Sequence, residues 1–342
     1  MSGKMESATK ISTISRPECP LCGSPGKVLH EGLKDRLYSA PGEWTMKKCP
    51  NAECGLGWLD PVAVESDLGL LYANYYTHVE HSLPSGAKAW LRGVLVQAYE
   101  IAKSVPLVLL GLSNDRRQSS LMYLEDRPAG YVLDLGCGDG QMLHRLGGKG
   151  WKGIGIDFDA KAIQTARQRY GGLEMEFKQT DLFGAGFKDA TFDAVIMNHV
   201  MEHVPAPVPL LREVRRVLKN GGRLVATTPN LGSMGHEWFD ACWRGLEPPR
   251  HLHVFTLRAL EMAARQAGFN SVTTKSSPSR ADLIFGGSMS LQEALRNNCR
   301  IPPGRDIRIF RAIRSSVLQW REALLWRSKP DCGEEAILIC EK

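Results

Sequence analysis

The stretch that most constrains the fold is 132–140, where Gly136, Gly138 and Gly140 alternate directly after a short apolar run. A helix-like segment follows, so the glycines fall in a strand-to-helix turn. In a parallel α/β sheet, ligands bind beyond the carboxyl ends of the strands, and the first such turn is the usual contact with a cofactor. Gln141 stands where a nicotinamide-binding G-x-G-x-x-G turn has its third glycine. The spacing therefore predicts a nucleotide-type cofactor and argues against a nicotinamide Rossmann turn.

Short apolar runs alternate with helical stretches from residue 130 onward, which is typical of βαβ units and a parallel sheet. Strands are predicted at 131–135, 153–157, 174–179, 192–197, 222–228, 271–275 and 335–340. Helices are predicted at 141–147, 160–170, 208–219 and 256–267. We therefore expect an α/β fold with a doubly wound, Rossmann-like sheet. The expected divisions are a small module at 1–61, a helical linker at 62–128, the core at 129–278, a basic helical insertion at 279–332 and the final strand at 333–342.

Two acids follow predicted strands at the same edge of the sheet. Asp157 ends the run GIGID, where a carboxylate can accept both hydroxyl protons of a ribose. Asp181 comes directly after the third predicted strand. The alternative for each is a solvated carboxylate or a helix cap.

The motif DLGCGDG at 134–140 resembles the D/E-x-G-x-G-x-G sequence of class I S-adenosylmethionine-dependent methyltransferases. The resemblance implies S-adenosyl-L-methionine as the cofactor and a loop that wraps its methionine part. It also implies that Asp157 binds the ribose and that Asp181 lies against the adenine amino group. The cofactor-binding residues expected on this basis are Asp134, Leu135, Gly136, Cys137, Gly138, Gly140, Asp157, Phe158, Asp181, Leu182, Asn198 and His199.

A second polar segment, NHVMEHV at 198–204, follows the fourth predicted strand. Its H-x-x-E-H pattern also occurs on a long helix in some zinc proteases, but Pro205 and Pro207 exclude such a helix here. The segment is similar to the hVxEHV stretch of many class I small-molecule methyltransferases. Methyl transfer to a hydroxyl requires removal of its proton, so His199 and His203 are candidate bases, with Glu202 orienting one of them. In some quinone O-methyltransferases a similar cluster, with Glu at the position of His199, binds a divalent metal, which stays an alternative.

The segment WRGLEPPRHLHVFT at 243–256 resembles a stretch of methyltransferases that modify cell-surface sugars, O-antigen or related small metabolites. In a doubly wound sheet, the loop after the fifth strand closes over the acceptor site. Arg250 and His251 are therefore expected to contact an anionic or hydroxylated acceptor, and His251 is the leading candidate for the general base. The alternative is that the prolines only stiffen the loop and that His253 packs beneath Phe255.

Four cysteines near the N-terminus form a C-x2-C pair and a C-x4-C pair, 26 residues apart, each followed by glycine. This spacing is typical of a zinc ribbon. The polar N-terminus lacks the apolar stretch of a secretory signal, which favours the reducing cytoplasm over structural disulfides. The other five cysteines are expected to be ordinary buried thiols. We expect a structural zinc ion bound by Cys19, Cys22, Cys49 and Cys54.

Basic residues concentrate late in the chain, with nine Lys or Arg against two acids between 296 and 329, so that the net charge of +6 leaves the remainder close to neutral. Within 306–327, apolar residues recur at helical spacing. The stripe consists of Ile307, Phe310, Ile313, Val317, Trp320 and Leu324. Three uses stay open: packing of the stripe on the main domain or against the 89–112 segment, peripheral contact with an anionic membrane, or contact of the arginines with RNA phosphates.

An apolar run at 89–112 is interrupted by charged residues and by Pro106, so it is too short for a membrane span. It is expected to form helices that pack on the core or lie along a membrane surface. The expected location is therefore the cytoplasm, with peripheral contact at the inner face of the membrane.

These features predict S-adenosylmethionine-dependent methyl transfer, with an oxygen of a small molecule, sugar or lipid-linked glycan as the acceptor. One alternative is an RNA base methyltransferase, because a zinc ribbon ahead of this fold also occurs in an rRNA guanine methyltransferase family. Against it, the basic charge lies in the late insertion, and Asn198 and His199 stand where amino-group methyltransferases carry an Asn/Asp-Pro-Pro-aromatic motif. A non-catalytic cofactor-binding protein is the third interpretation.

Overall fold

The computed structural model of the protein describes residues 11–72, 99, 102–171, 174–301 and 309–342. The N-terminal part is built from short antiparallel strands, in which β1 pairs with β5 and β3 lies between β2 and β4. Their bounds are β1 Thr13–Ile14, β2 Lys27–Leu33, β3 Trp44–Lys48, β4 Gly57–Leu59 and β5 Val62–Ala63. A 3₁₀ helix, Glu65–Tyr72, follows.

Seven strands form the central sheet, and one further short strand, β11, lies outside it. The strands are β6 Tyr131–Leu135, β7 Lys152–Asp157, β8 Met175–Gln179, β9 Phe192–Asn198, β10 Leu218–Pro229, β11 His253–Val254, β12 Ser271–Ser277 and β13 Glu335–Glu341. Besides the helical residues 102–109, the α-helices of the described residues are α1 Ser113–Ser120, α2 Gln141–Gly147, α3 Ala160–Tyr170, α4 Pro207–Val217, α5 Met234–Phe239, α6 Leu257–Gln266, α7 Ala281–Arg296 and α8 Ile309–Trp326. Short 3₁₀ helices lie at Met201–His203, Asp240–Cys242 and Arg244–Leu246.

The central sheet has the order β12-β13-β10-β9-β6-β7-β8. β6 to β10 run parallel, and β13 is antiparallel to both β10 and β12. The inner strands are apolar over nearly their whole length because helices cover both faces of the sheet. The expected doubly wound α/β class is confirmed, and the carboxyl ends of the parallel strands meet at one edge.

The local sequence accounts for the helices that flank this sheet. In α4, Val208, Leu211 and Val214 recur at intervals of three residues and are buried. Asp159 caps the N-terminus of α3, where its carboxylate accepts backbone N–H groups of the first turn, and the Thr256 hydroxyl caps α6 in the same way. Such caps fix where each helix starts and, with it, the length of the preceding loop.

The N-terminal strands and the central sheet share one hydrophobic core. β11 comes from the segment after β10 but pairs antiparallel with β4, so that His253 lies opposite Trp58 and Val254 opposite Gly57. The Thr256 hydroxyl donates a hydrogen bond to the carbonyl of Cys54 at 2.7 Å. The cysteine-rich module is therefore attached directly to the loop that was predicted to cover the acceptor site.

The apolar stripe predicted within 306–327 does not pack on the core as a whole. Phe310, Ile313, Val317 and Leu324 are exposed, whereas Trp320 is partly buried. The expected packing of the stripe, on the main domain or against the 89–112 segment, is therefore wrong for these four residues, because α8 turns a different face inward. Trp320 does pack against Leu107 and Leu112 of that segment. Ile307 lies outside the described residues.

Much of the apolar run predicted at 89–112 also lies outside the described residues, although residues 102–109 form a helix. Among the described helices, none combines the length and the apolar character that a membrane span needs.

Candidate functional site

The glycine-rich loop between β6 and α2 requires its glycines. Gly136, Gly138 and Gly140 all have positive φ, at 69°, 53° and 80°. A Cβ atom at Gly136 would lie 2.7 Å from Val200, and one at Gly140 would lie 2.7 Å from Phe177. Apart from Gly138 itself and its two chain neighbours, no atom of the described residues lies within 4 Å of such a position at Gly138. The loop therefore leaves space at its centre, where a ligand can approach the backbone.

Asp157, at the end of β7, ties this loop to the neighbouring strand. Its carboxylate accepts the N–H of Gly138 at 3.0 Å and the N–H of Asp159 at 2.9 Å. Burial raises the pKa of Asp157, and the backbone hydrogen bonds oppose that rise. A carboxylate has about four acceptor positions, so capacity remains for the two hydroxyls of a ribose.

Asp134 is a buried carboxyl in β6, just before the loop. Burial, together with the charge of Asp157, raises the pKa of Asp134 well above its usual range. Its Oδ2 atom has no hydrogen-bond partner among the described residues. With the open centre of the loop and the remaining acceptor capacity of Asp157, this polar edge fits a cofactor that carries a ribose and an amino-acid moiety.

The remaining predicted cofactor residues differ in their surroundings. Phe158 is exposed, with its ring 5.4 Å from that of Tyr72. Asp181 is exposed, as the solvated alternative expected, and it accepts the N–H of Gly184 within a turn. Asn198 accepts a hydrogen bond from the Thr227 hydroxyl at 2.8 Å. The side chains of Leu135, Cys137 and Leu182 are buried.

His199 lies between two carboxylates. Its Nδ1 donates to Glu202 at 3.0 Å, and its Nε2 lies 3.4 Å from Glu335. Burial alone would lower its pKa, but the two carboxylates raise it to about 10. A protonated imidazole has no lone pair to accept a proton. These surroundings favour the protonated ring of His199 beside Glu202 and Glu335, and they do not support the prediction of His199 as a general base.

His251 has the opposite electrostatic environment. Its Nδ1 donates to the carbonyl of Gly245 at 2.7 Å, which leaves a lone pair on Nε2. Burial and the neighbouring His203 lower its pKa to about 4, so the ring is neutral at neutral pH. The ring of His203 lies 4.7 Å from that of His251, at nearly a right angle. His251 thus has the protonation state that a proton acceptor requires.

Tyr72, which was not predicted as a site residue, connects this cluster to the cofactor loop. Its hydroxyl lies 3.0 Å from His203 Nδ1, an atom that also lies 3.1 Å from the carbonyl of Arg250. Since the ring of Tyr72 also contacts Phe158, a chain of contacts runs from the end of β7 to His251. Its only signal in the sequence was the group of aromatic residues after residue 71.

Glu202 lies at the base of the same cluster. It is fully buried, and its Oε2 has no hydrogen-bond partner among the described residues. Glu202, His203 and His251 each place a potential ligand atom within 4.8 Å of the others. The cluster is therefore able to hold either a divalent cation or a polar group of an acceptor.

Arg250 does not face an acceptor. It is buried and forms ion pairs with Asp35 at 2.8 Å and Glu247 at 2.9 Å, and its guanidinium lies over the ring of Tyr38. A buried guanidinium must be paired, and here both carboxylates are protein residues. The prediction that Arg250 binds an acceptor is corrected: it attaches the N-terminal module to the loop that contains His251. Asp35 and Glu247 could not be predicted as site residues from the sequence, because they matter only as the ion-pair partners of Arg250.

His253 is buried in β11, with its ring 6.0 Å from that of Phe255, as the packing alternative expected. Burial lowers its pKa to about 4.

The four N-terminal cysteines converge on one point. The Sγ atoms of Cys19 and Cys54 are 3.6 Å apart, those of Cys22 and Cys49 are 3.3 Å apart, and all four lie within 4.8 Å of one another. Tetrahedral zinc with Zn–S distances of about 2.3 Å separates its sulfurs by about 3.8 Å, so the arrangement fits zinc.

The other five cysteines were expected to be buried. Cys137, Cys332 and Cys340 are buried, but Cys242 is only partly buried and Cys299 is exposed, so the expectation is wrong for these two.

Comparison with known proteins places the similarity on the central sheet. Residues 114–274 match a family model described as a methyltransferase domain. A demethylmenaquinone methyltransferase of Lactobacillus johnsonii is 30% identical over 125 residues, covering 34% of this chain and 51% of that protein. A malonyl-[acyl-carrier protein] O-methyltransferase of Paenibacillus is 29% identical over 154 residues, covering 41% and 55%.

Among solved structures, phosphoethanolamine N-methyltransferase 2 of Haemonchus contortus in complex with S-adenosyl-L-methionine is 18% identical, with a TM-score of 0.48. That match covers 84% of this chain and 62% of the other. The chain spans about a third to just over half of the length of the curated relatives it matches.

Proposed function

Because residues 114–274 of this chain form a class I S-adenosylmethionine-dependent methyltransferase domain, we propose that the whole protein transfers a methyl group to an oxygen atom of a small-molecule or glycan acceptor. The observation that carries the proposal is the neutral His251, whose Nε2 lone pair is reached from the cofactor loop through Phe158, Tyr72 and His203. The similarity to methyltransferases of small molecules supports the choice of acceptor class.

The residues of the loop hold the cofactor in this proposal. S-adenosylmethionine supplies an electrophilic methyl group on a sulfonium. The backbone at Gly136 to Gly140 lies against its methionine part, and Asp157 accepts the ribose hydroxyls. Asp181 faces the adenine.

The histidine cluster handles the acceptor. His251 Nε2 takes the proton of the acceptor hydroxyl, while the hydrogen bond from Nδ1 to Gly245 holds the ring in the required tautomer. The hydrogen bond between His199 and Glu202 holds the Glu202 side chain in position within the cluster. Arg250 is already paired with Asp35 and Glu247, so its guanidinium is not assigned to the acceptor in this proposal.

We also propose that Cys19, Cys22, Cys49 and Cys54 bind a structural zinc ion. Three of the four side chains are buried, so the site has no open position for a substrate.

Replacement of Asp157 by alanine tests the cofactor site. The variant loses the two hydrogen bonds that the ribose hydroxyls donate to the charged carboxylate. Binding of S-adenosylmethionine, measured by isothermal titration calorimetry, should therefore weaken roughly a hundredfold. Glu176→Ala removes an exposed carboxylate from the adjacent strand β8 and should leave the affinity unchanged. Equal affinities of the wild type and Asp157→Ala would contradict the assignment.

Replacement of His251 by glutamine tests the base. Turnover should fall about a hundredfold or more, because Gln cannot accept the proton, while binding of S-adenosylmethionine stays unchanged. His253→Gln is the matched control, since His253 is equally buried but lies in β11. Full turnover of His251→Gln would refute the role. Activity that is lost on chelation, while the structural zinc is retained, and is restored by a divalent ion would instead assign Glu202, His203 and His251 to a metal.

A further inference from the structure

The helix α8 is oriented with its polar side toward the protein and its apolar side toward solvent. Its buried residues are Ser315, Ser316, Gln319, Glu322 and Ala323. Its outward face consists of Phe310, Ile313, Arg314, Val317, Arg321 and Leu324. The exposed fractions of the apolar members are 82% for Phe310, 47% for Ile313, 48% for Val317 and 57% for Leu324. A surface helix normally buries its apolar stripe, so this orientation indicates that something else covers the outward face.

The outward face of α8 is also cationic. Arg314 and Arg321 stand between the apolar residues, and no carboxylate of the described residues forms an ion pair with either. The guanidinium of Arg321 lies over the half-exposed ring of Trp238, 4.8 Å from its centroid. The only acid in α8 is Glu322, which is buried on the opposite side. The face thus combines aliphatic and aromatic side chains with uncompensated positive charge.

A groove of about 440 Å³ between α7 and α8 adjoins this face. Its lining includes Arg296, Arg311, Arg314 and Phe310. Arg311 is paired with Glu293, whereas Arg296 and Arg314 form no ion pair with the described residues. The groove therefore presents guanidinium groups at the edge of an apolar surface, which is the chemistry that binds the phosphate of a lipid headgroup.

We infer that the outward face of α8, together with Trp238, binds the surface of an anionic lipid bilayer. Arginines meet the headgroup phosphates, and Phe310, Ile313, Val317, Leu324 and Trp238 enter the boundary between headgroups and acyl chains.

The charge of the face decides against two other occupants. A second copy of the chain docked by the same face would bring Arg314 and Arg321 against their own counterparts. Bound RNA would leave Ile313, Val317 and Leu324 against polar bases and phosphates, because aliphatic side chains do not stack with bases. This inference does not depend on the proposed methyl transfer, although a bilayer surface would bring the enzyme to a lipid-linked acceptor.

Flotation of the full-length protein with vesicles tests the inference. The protein should float with vesicles of equal parts phosphatidylglycerol and phosphatidylcholine, and much less with phosphatidylcholine alone. The double variant R314Q/R321Q should bind the anionic vesicles roughly thirty-fold more weakly, because each arginine near the surface contributes about fivefold. The matched control K149Q/K188Q removes the same charge from exposed positions outside α8 and should bind like the wild type. The double variant I313S/V317S should also lose binding.

Each other result would overturn the inference. Equal binding to neutral vesicles, or no flotation with either kind, excludes an anionic bilayer as the occupant. A dimer in size-exclusion chromatography that I313S/V317S dissociates would assign the face to a second copy, and a salt-sensitive RNA mobility shift without flotation would assign it to RNA. Calorimetry with S-adenosylmethionine on the same variants should be unchanged, so failure here is distinguishable from failure of the proposed function.

Discussion

His199 and His251 show how the surroundings of a residue decide its chemistry. Both belong to the same acceptor-side cluster, yet the carboxylates of Glu202 and Glu335 raise the pKa of His199 to about 10, whereas burial and His203 lower that of His251 to about 4. At neutral pH one ring is therefore a cation and the other is neutral. His199 also has a positive φ of 56°, which is uncommon for a residue other than glycine. The structure holds it in place through its two carboxylate partners.

The raised pKa of His199 has a consequence for stability. Because the folded state binds the proton more tightly than the unfolded chain, the stabilisation is complete below about pH 6.5 and is lost as the pH rises toward about 10. The melting temperature of His199→Gln should therefore fall less steeply over this interval than that of the wild type, as measured by differential scanning calorimetry. His144→Gln, at an exposed position on α2, is the control and should keep the slope of the wild type. Parallel curves for His199→Gln and the wild type would show that the ion pairs do not form in solution.

At the scale of elements, the two-residue strand β11 determines how the N-terminal module acts on the site. His253 and Val254 were interpreted from the sequence as part of an acceptor loop, but they pair with β4 of the cysteine-rich module. The Thr256 hydroxyl contacts Cys54, and Arg250 contacts Asp35, on either side of this pairing. The module therefore holds the loop that carries His251, which connects the four-cysteine cluster to that loop.

Loss of one zinc ligand should test this connection. Cys54→Ser should purify with little or no zinc by metal analysis and should melt about 10 °C lower, because zinc binding contributes directly to folding. Turnover should fall more than the affinity for S-adenosylmethionine, since the cofactor loop lies on the other side of the cluster. Cys299→Ser replaces an exposed cysteine outside the module and should leave the zinc content, the melting temperature and the turnover unchanged. A zinc-free Cys54→Ser protein with normal turnover would show that the loop carrying His251 does not depend on the cysteine-rich module.

At the scale of the whole molecule, the described parts form one core with an asymmetric surface. The largest cluster of buried residues includes Cys49, Leu56 and Trp58 of the N-terminal module together with residues of the central sheet, such as Val195 and Leu338. The module is thus packed on the methyltransferase domain. The net charge of +6 is concentrated late in the chain, where α8 turns its apolar and basic residues outward. The flotation experiment with vesicles tests whether this outward face of α8 binds an anionic bilayer.

The sequence by itself determined the features that depend on local spacing. The period of apolar residues placed β6 at its observed bounds and β7 to β10, β12 and β13 within a few residues of theirs. The glycines of 136–140 and the position of Asp157 could be predicted because a tight turn and a strand end impose residue types within a short stretch of chain. The convergence of the four cysteines followed from their paired spacing in the same way.

Only the tertiary structure decided the properties that depend on partners distant in the sequence. Glu335 sets the charge of His199, Asp35 occupies Arg250, and the rest of the protein selects which side of α8 faces inward. Helical periodicity shows that α8 has an apolar stripe, but it does not show what the stripe packs against. Electrostatic energies likewise depend on distances and burial that residue spacing does not contain. For this reason the sequence determined the cofactor loop and the strands around it, and the structure determined which histidine can accept a proton.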